Sequence, residues 1–357
     1  MRGGRHAATL TESPRLRDRG PGHLASEHHR SRRPTMAFTV DLDAFRFDPQ
    51  LAAGVTGRRV LITGAGKDGG IGQAFALAAG LNGAATVGVH FHRSYHDGFD
   101  LVDRLRSEGV DAFPVQADVT NMGDLWAMRS YVIEHMGGLP PDLIICNSGL
   151  TERGYSFGRA LREVPDESTA MRRARVRQHF IDNLEESRLV LDTKIDGFLA
   201  VTHLWAGEAV HHGVPVQIVY VSSRQAIDPG PSVPGYAISN WAVLQLPQVL
   251  DINLGRAAEL ASACSVLFPF IRTGMTDEYA DNEKVFGRWQ PRMLATTEAA
   301  EAFLQLLARP RDEVRSGMFE LMVEPADGDA VQITWRQVRL PVVEERLAWS
   351  DAAPLRR

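Results

Sequence analysis

Arg59-Val-Leu-Ile-Thr63, running into Gly64-Ala-Gly-Lys-Asp-Gly-Gly-Ile-Gly72 and then Gln73-Ala-Phe-Ala-Leu-Ala-Ala79, decides how this chain folds. The first five residues form a short apolar run, as a buried strand requires. The alanine-rich sequence beyond Gly72 continues as helix. A strand that turns through glycines into a helix N-terminus builds a diphosphate site. The glycines let the backbone approach the phosphates, and the helix end offers free N–H groups and a positive dipole. Gly64, Gly66, Lys67, Gly70, Ile71 and Gly72 are the candidate ligands. Glycines alone would fit any tight turn; the strand before them and the helix after them give the pattern its force.

Ala85-Thr-Val-Gly-Val-His-Phe91 reads as the second strand. An acid at its end would accept the ribose hydroxyls of NAD, whereas a base favours the 2′-phosphate of NADP. The chain gives His92-Arg93-Ser94, with no carboxylate before Asp97, and Lys67 adds a second cation from the glycine turn. This predicts NADP(H), with Arg93 as the main phosphate ligand and His92 beside it. Further apolar runs end at Val115-Gln-Ala-Asp118-Val119, Asp142-Leu-Ile-Ile-Cys-Asn147, Val216 to Val221, Ser265 to Phe268 and Gly317 to Met322, with a helix over Thr297 to Leu307. Strands alternating with helices predict the α/β class, as a single Rossmann-type doubly wound parallel sheet flanked by helices.

Composition agrees with an ordinary globule: 357 residues, 44 % apolar and a net charge of −5. That charge gives no reason to expect nucleic acid, and no run reaches the roughly 18 apolar residues of a membrane span. Cys146 and Cys264 lie in strand-like runs and read as small core residues; their scarcity fits a reducing, cytoplasmic setting. Residues 1–35 hold eight arginines against three acids and show no apolar periodicity. They are expected to be a disordered extension, or an over-extended start with Met36 as the first residue. The Rossmann-type domain is expected over 36–330, with a charged helical insertion at 151–188, a substrate lid at 274–292 and a tail at 331–357. No His-Glu-x-x-His, Cys-x-x-Cys or Gly-x-Ser-x-Gly spacing occurs, so neither a metal site nor a hydrolase elbow is predicted.

The chemistry sits further along. Ser223 closes the run Val216-Gln-Ile-Val-Tyr-Val221-Ser-Ser223, and Tyr236 follows thirteen residues later at a helix start, with Asn240 one turn beyond. Leu189-Val-Leu-Asp-Thr-Lys194-Ile-Asp-Gly197 lies upstream. Together with the glycine turn, these stretches resemble the short-chain dehydrogenase/reductase family from about Arg59 to Asp327. The family usually has Lys four residues after the Tyr and Asn on the neighbouring helix. Here Asn240 takes the first position and Lys194 the second, the exchange known in ketoreductase domains of polyketide and fatty acid synthases.

The resemblance implies hydride transfer between NADPH and a ketone. Tyr236 would act as general acid, and Ser223 would hydrogen-bond the same oxygen. Lys194 would depress the phenol's pKa, and Asn240 would hold water or backbone in the proton relay. It places Asp118 and Val119 near the adenine, Asn147 and Gly149 at the cofactor-facing turn, and Thr273 near the nicotinamide. It further implies a polyketide-like or acyl-thioester ketone substrate and a homodimer or homotetramer. Arginines within 151–188 raise an acyl-carrier protein as a partner. Two alternatives stay open: a reductase-like NADP-binding scaffold without catalysis, and an alcohol dehydrogenase working in the oxidative direction.

Overall fold

The computed structural model describes residues 40–152, 161–230, 233–277, 280–327 and 330–339. Eight strands are present among them: β1 (Arg59–Thr63), β2 (Thr86–Phe91), β3 (Ala112–Gln116), β4 (Leu143–Cys146), β5 (Val216–Ser223), β6 (Ala261–Phe268), β7 (Met318–Pro325) and β8 (Val331–Gln337). They form one sheet in the order β3-β2-β1-β4-β5-β6-β7-β8, and the first seven are parallel. The order reverses between β1 and β4, the crevice where open parallel sheets bind ligands. The predicted fold class is therefore the observed one.

The strands are buried on both sides, so their apolar residues divide by parity. Val60, Ile62, Ile145, Val219 and Val221 face one core, which includes α1 (Ile71–Leu81), α2 (Tyr95–Ser107) and α8 (Thr296–Leu307). Leu61, Ile144, Cys146, Ile218 and Tyr220 face the other, with α3 (Met122–His135), α5 (Gly197–His212) and α7 (Leu246–Leu254). Cys146 and Cys264 are free and buried, as small core residues. The lead-in packs on the first layer: Phe45 is buried, and Asn82 at the end of α1 donates to Phe45 O and accepts from Phe47 N.

One boundary differs from expectation. Residues 331–337, expected in the tail, pair antiparallel with β7 as β8. Their alternation puts Val331, Ile333 and Trp335 against the core, while Arg336 reaches the Glu320 carboxylate of β7 at 2.7 Å. Glu320 is wholly buried and also accepts from Arg224 at 2.6 Å, so two guanidiniums neutralise one carboxylate and join the C-terminal strand to the end of β5. In the expected insertion, 153–160 lie outside the described residues, as do 1–39 and 340–357. The remainder of the insertion is mostly helix α4 (Thr169–Leu191), capped by Ser168 accepting from Met171 N. Among the described residues no helix is long and apolar enough to cross a membrane.

Candidate active site

The glycine turn is built by close approach. Gly64 adopts φ +68°, and a Cβ there would stand 2.7 Å from Ser148 Cα. A Cβ on Gly72 would lie 2.5 Å from Asn147 Nδ2, and that amide donates to Gly64 O at 3.0 Å. Thr63 Oγ1 accepts from Asn147 N and Ser148 N, so the turn after β4 is fastened to the end of β1. Asn147 thus does structural work at the crevice. The middle of the turn is braced as well: Gln73 accepts from Gly69 N and donates to Asp68 Oδ1, and Asp97 accepts from Asp68 N.

Helix α1 begins at Ile71 with Gly70 as N-cap and no side-chain cap, leaving its first N–H groups for an anion. Lys67 stands on the rim of this turn, with Nζ 3.9 Å from the point a Cβ on Gly274 would occupy. The strand β6 exit, with Thr273, therefore closes over the same crevice. Thr273 Oγ1 accepts from Met275 N and meets Thr276 Oγ1 at 3.2 Å.

At the end of β2, His92 and Arg93 are exposed. His92 Nε2 lies 3.7 Å from Asp118. Burial works against the Asp118 carboxylate, but hydrogen bonds from Thr120 and the charges of His92 and Arg93 outweigh it and hold its pKa below the ordinary value. Val119 is buried against Gly197, where a Cβ would stand 2.7 Å from Val119 Cγ2. A glycine turn with free N–H groups at the start of a helix fits the diphosphate of a dinucleotide.

His90, which sequence reasoning passed over, accepts from Gly64 N through Nδ1 at 3.1 Å. Burial pushes its pKa down to about 4, which keeps the ring neutral and the nitrogen an acceptor. Its place in an otherwise apolar β2 was the available signal. Asp97 was noted only as the first acid after β2.

The second half of the site lies on two helices. Between α4 and α5 the backbone widens into a π turn, Asp192–Asp196, and Lys194 is at its centre. Such turns redirect side chains and recur at functional sites. Lys194 is 4 % exposed, and its Nζ stands 5.3 Å from the Phe198 ring centroid and 5.9 Å from that of Tyr236. These are cation–π distances. Gly149 borders the ammonium: a Cβ there would be 3.6 Å from Nζ. Burial lowers the Lys194 pKa to about 7.

Tyr236 and Asn240 are on α6 (Pro234–Ala242). Burial raises the Tyr236 phenol above its ordinary pKa, and hydrogen bonding toward Ser223 and Asn240 acts in the opposite sense without overcoming it. The expected depression of this pKa by Lys194 is not found. An ammonium that is itself desolvated and shifted to about 7 is only partly charged at neutral pH. It therefore lends the phenol less than a full charge. Asn240 is fully buried; its Nδ2 donates to Tyr236 O at 2.8 Å, and its Oδ1 has no partner among the described residues. Ser223 Oγ accepts from Gln225 N at 3.2 Å.

The stretch expected as a lid is tied to the loop after β5. Asp228, beyond Ser223, accepts from Arg288 and from the Trp289 indole, which stacks on Phe270 at 5.4 Å. Residues 278–279 of this stretch lie outside the described set.

Ser223, Tyr236, Asn240 and Lys194 thus stand in one crevice at the carboxyl ends of the strands, beside the glycine turn. Residues 58–284 match the profile of the short chain dehydrogenase family. Versicolorin reductase stcU of Emericella nidulans is 34 % identical over 172 residues, 48 % of this chain and 60 % of that protein. A probable tetrahydroxynaphthalene reductase of Zymoseptoria tritici is 29 % identical over 193 residues, 54 % of this chain and 64 % of that protein. The chain thus covers less than two thirds of the length of these relatives. Among solved structures, a 3-oxoacyl-[acyl-carrier protein] reductase from Brucella melitensis superposes with TM-score 0.59 at 22 % identity, covering 79 % of this chain and 94 % of that one. A gluconate 5-dehydrogenase from Burkholderia cenocepacia, solved with NADP and tartrate, gives 0.58 at 22 %, covering 78 % and 96 %. At that identity the structures speak for the fold alone. With the matched profile, the fold and the crevice in agreement, the chain belongs to the short chain dehydrogenase family of oxidoreductases.

Proposed function

We propose that the chain is an NADPH-dependent ketoreductase that reduces a fused-ring or β-ketoacyl, polyketide-like ketone to an alcohol. The observation that carries this reading is Lys194. A buried ammonium faces the Tyr236 ring from the neighbouring helix, supplying the cation that Asn240 cannot. A nicotinamide cofactor, held by the residues named below, would supply the hydride. Tyr236 then gives its phenolic proton to the carbonyl oxygen as negative charge develops there, and Ser223 donates a hydrogen bond to the same oxygen. Lys194 stabilises the phenolate left behind, and Asn240 holds the Tyr236 backbone one turn along α6. Gly64, Gly66, Gly70, Ile71, Gly72 and Lys67 would hold the diphosphate, Asp118 and Val119 the adenine side, and Gly149 and Thr273 the nicotinamide side. The names of the versicolorin and tetrahydroxynaphthalene reductases support a polycyclic aromatic substrate. Residues Gly274 to Arg292, tied to Asp228, would cover it.

The test is NADPH consumption by the full chain against bicyclic aromatic ketones and β-ketoacyl thioesters, followed at the nicotinamide absorbance band. Consumption with one of these supports the reading; NADPH binding without consumption on any of them would return the chain to a scaffold role. Cofactor choice is tested separately. Arg93→Ala is expected to weaken NADPH about tenfold while leaving NADH unchanged, the size of one charge-assisted contact to an exposed phosphate. Calorimetry with both nucleotides decides it, and equal weakening of the two would remove Arg93 from the 2′-phosphate.

A further inference from the structure

The helix that carries Tyr236 starts without a cap of its own. Val233, its N-cap residue, makes no side-chain bond to the first turn. The first-turn N–H groups need acceptors, and a carboxylate from far away in sequence supplies them. Glu152, on the segment leaving β4, is 5 % exposed. Its Oε1 accepts from Gly235 N at 2.5 Å, and its Oε2 accepts from the backbone N of Tyr236 itself at 3.1 Å. Oε1 also accepts from Ser187 Oγ at 2.9 Å, on the last turns of α4. The seat is cut to fit: a Cβ on Gly235 would stand 2.6 Å from Oε1 and 3.0 Å from Ser187 Cα. A negative group here is also favoured by the positive end of the α6 dipole.

One side chain therefore joins three pieces of the active site. They are the turn beyond Gly149, the helix that leads into the π turn with Lys194, and the first turn of the helix bearing Tyr236. We propose that Glu152 is a positioning residue that fixes the separation between Tyr236 and Lys194; this rests on the ketoreductase reading above. Glu152 touches no reacting atom. Its effect runs through the backbone of Tyr236 and through Ser187.

Glu152→Ala removes all three bonds, whereas Glu152→Gln keeps one acceptor oxygen for Gly235 N but turns an N–H donor toward another. In the full chain, Glu152→Ala is expected to lower kcat by about tenfold to a hundredfold, as misplacement of a reacting group by about an ångström does. The Gln variant should fall between it and wild type. KM for the ketone and NADPH affinity should stay within about twofold in both, with kcat counted per NADPH-binding site so that unfolded protein does not enter. Amide hydrogen exchange gives a second reading that needs no substrate: the amides of Gly235 and Tyr236 should exchange faster in Glu152→Ala. Unchanged exchange at those amides overturns the tether, and unchanged kcat per site overturns the positioning role. A wild-type protein that consumes no NADPH overturns the function reading instead, and exchange still decides the tether.

Discussion

Tyr236→Phe is expected to cut NADPH-dependent ketone reduction by about a hundredfold to ten-thousandfold, the range that a positioned general acid contributes. The substitution deletes one oxygen. Phe keeps the ring that meets Lys194 at 5.9 Å, the backbone N that Glu152 holds and the carbonyl that Asn240 Nδ2 reaches. Helix α6 should therefore stand where it did. The diphosphate turn belongs to β1 and α1, so NADPH affinity should change by no more than about twofold. Steady-state kinetics on whichever ketone the wild type consumes, with calorimetry of NADPH, makes the comparison. Turnover within about tenfold of wild type would show that the proton comes from elsewhere.

Lys194→Met should have two effects of opposite benefit. Turnover should fall at least about a hundredfold, because the cation that balances the phenolate is gone and Asn240 cannot replace it. The protein should meanwhile become more stable. In the folded state Lys194 titrates near 7 instead of an ordinary 10.5, because burial disfavours its charged form. Between those values the unfolded chain binds a proton that the folded chain releases, so this group's contribution to stability rises with pH across that window. Below about 7 both states are charged and the full burial cost is carried, on the order of a few kcal/mol. Met has similar length and no charge, so the variant should gain that amount in mild acid and lose the gain toward pH about 10.5. Denaturant midpoints on either side of the window read this directly. A variant less stable than wild type in mild acid would mean that the ammonium is better solvated than its 4 % exposure implies. Wild-type reduction should also decline as pH rises through about 7, as the ammonium loses its proton.

Much of the fold was written locally. The run Arg59–Thr63 and the glycines after it are adjacent in sequence, so strand, turn and helix start could be read from one window. The strands of the central sheet were legible because each is an apolar run bounded by polar sequence. β8 was missed although Val331-Gln-Ile-Thr-Trp335 alternates as a half-buried edge strand does. The family resemblance ended just before it, and alternation over so short a run was passed over. Ser223, Tyr236 and Asn240 were legible by spacing, and Lys194 through the family pattern.

The rest depends on distance in the chain. Glu152 reaches Tyr236 across 84 residues, and Asp228 meets Trp289 across 61. His90 was hidden for another reason: a polar residue within an apolar strand shows only that a partner is needed. The Tyr236 pKa was misjudged because a pairwise view counts the nearby cation and omits the desolvation of both groups.

The π turn at Asp192–Asp196 has a consequence for the gene. An α-helix turns about 100° per residue, so one residue too many would throw the helix beyond it out of phase unless the backbone widened to absorb it. The π turn does that within a single turn, and only the residues at the seam point where an α-helix would not send them. Deleting a single codon there would let the two segments merge into one uninterrupted α-helix. The side chains outside the seam would keep their directions, whereas Lys194 would leave the helix along a new one. A frame-preserving deletion of three nucleotides beside Lys194 is thus expected to redirect the ammonium while leaving the lysine in the protein.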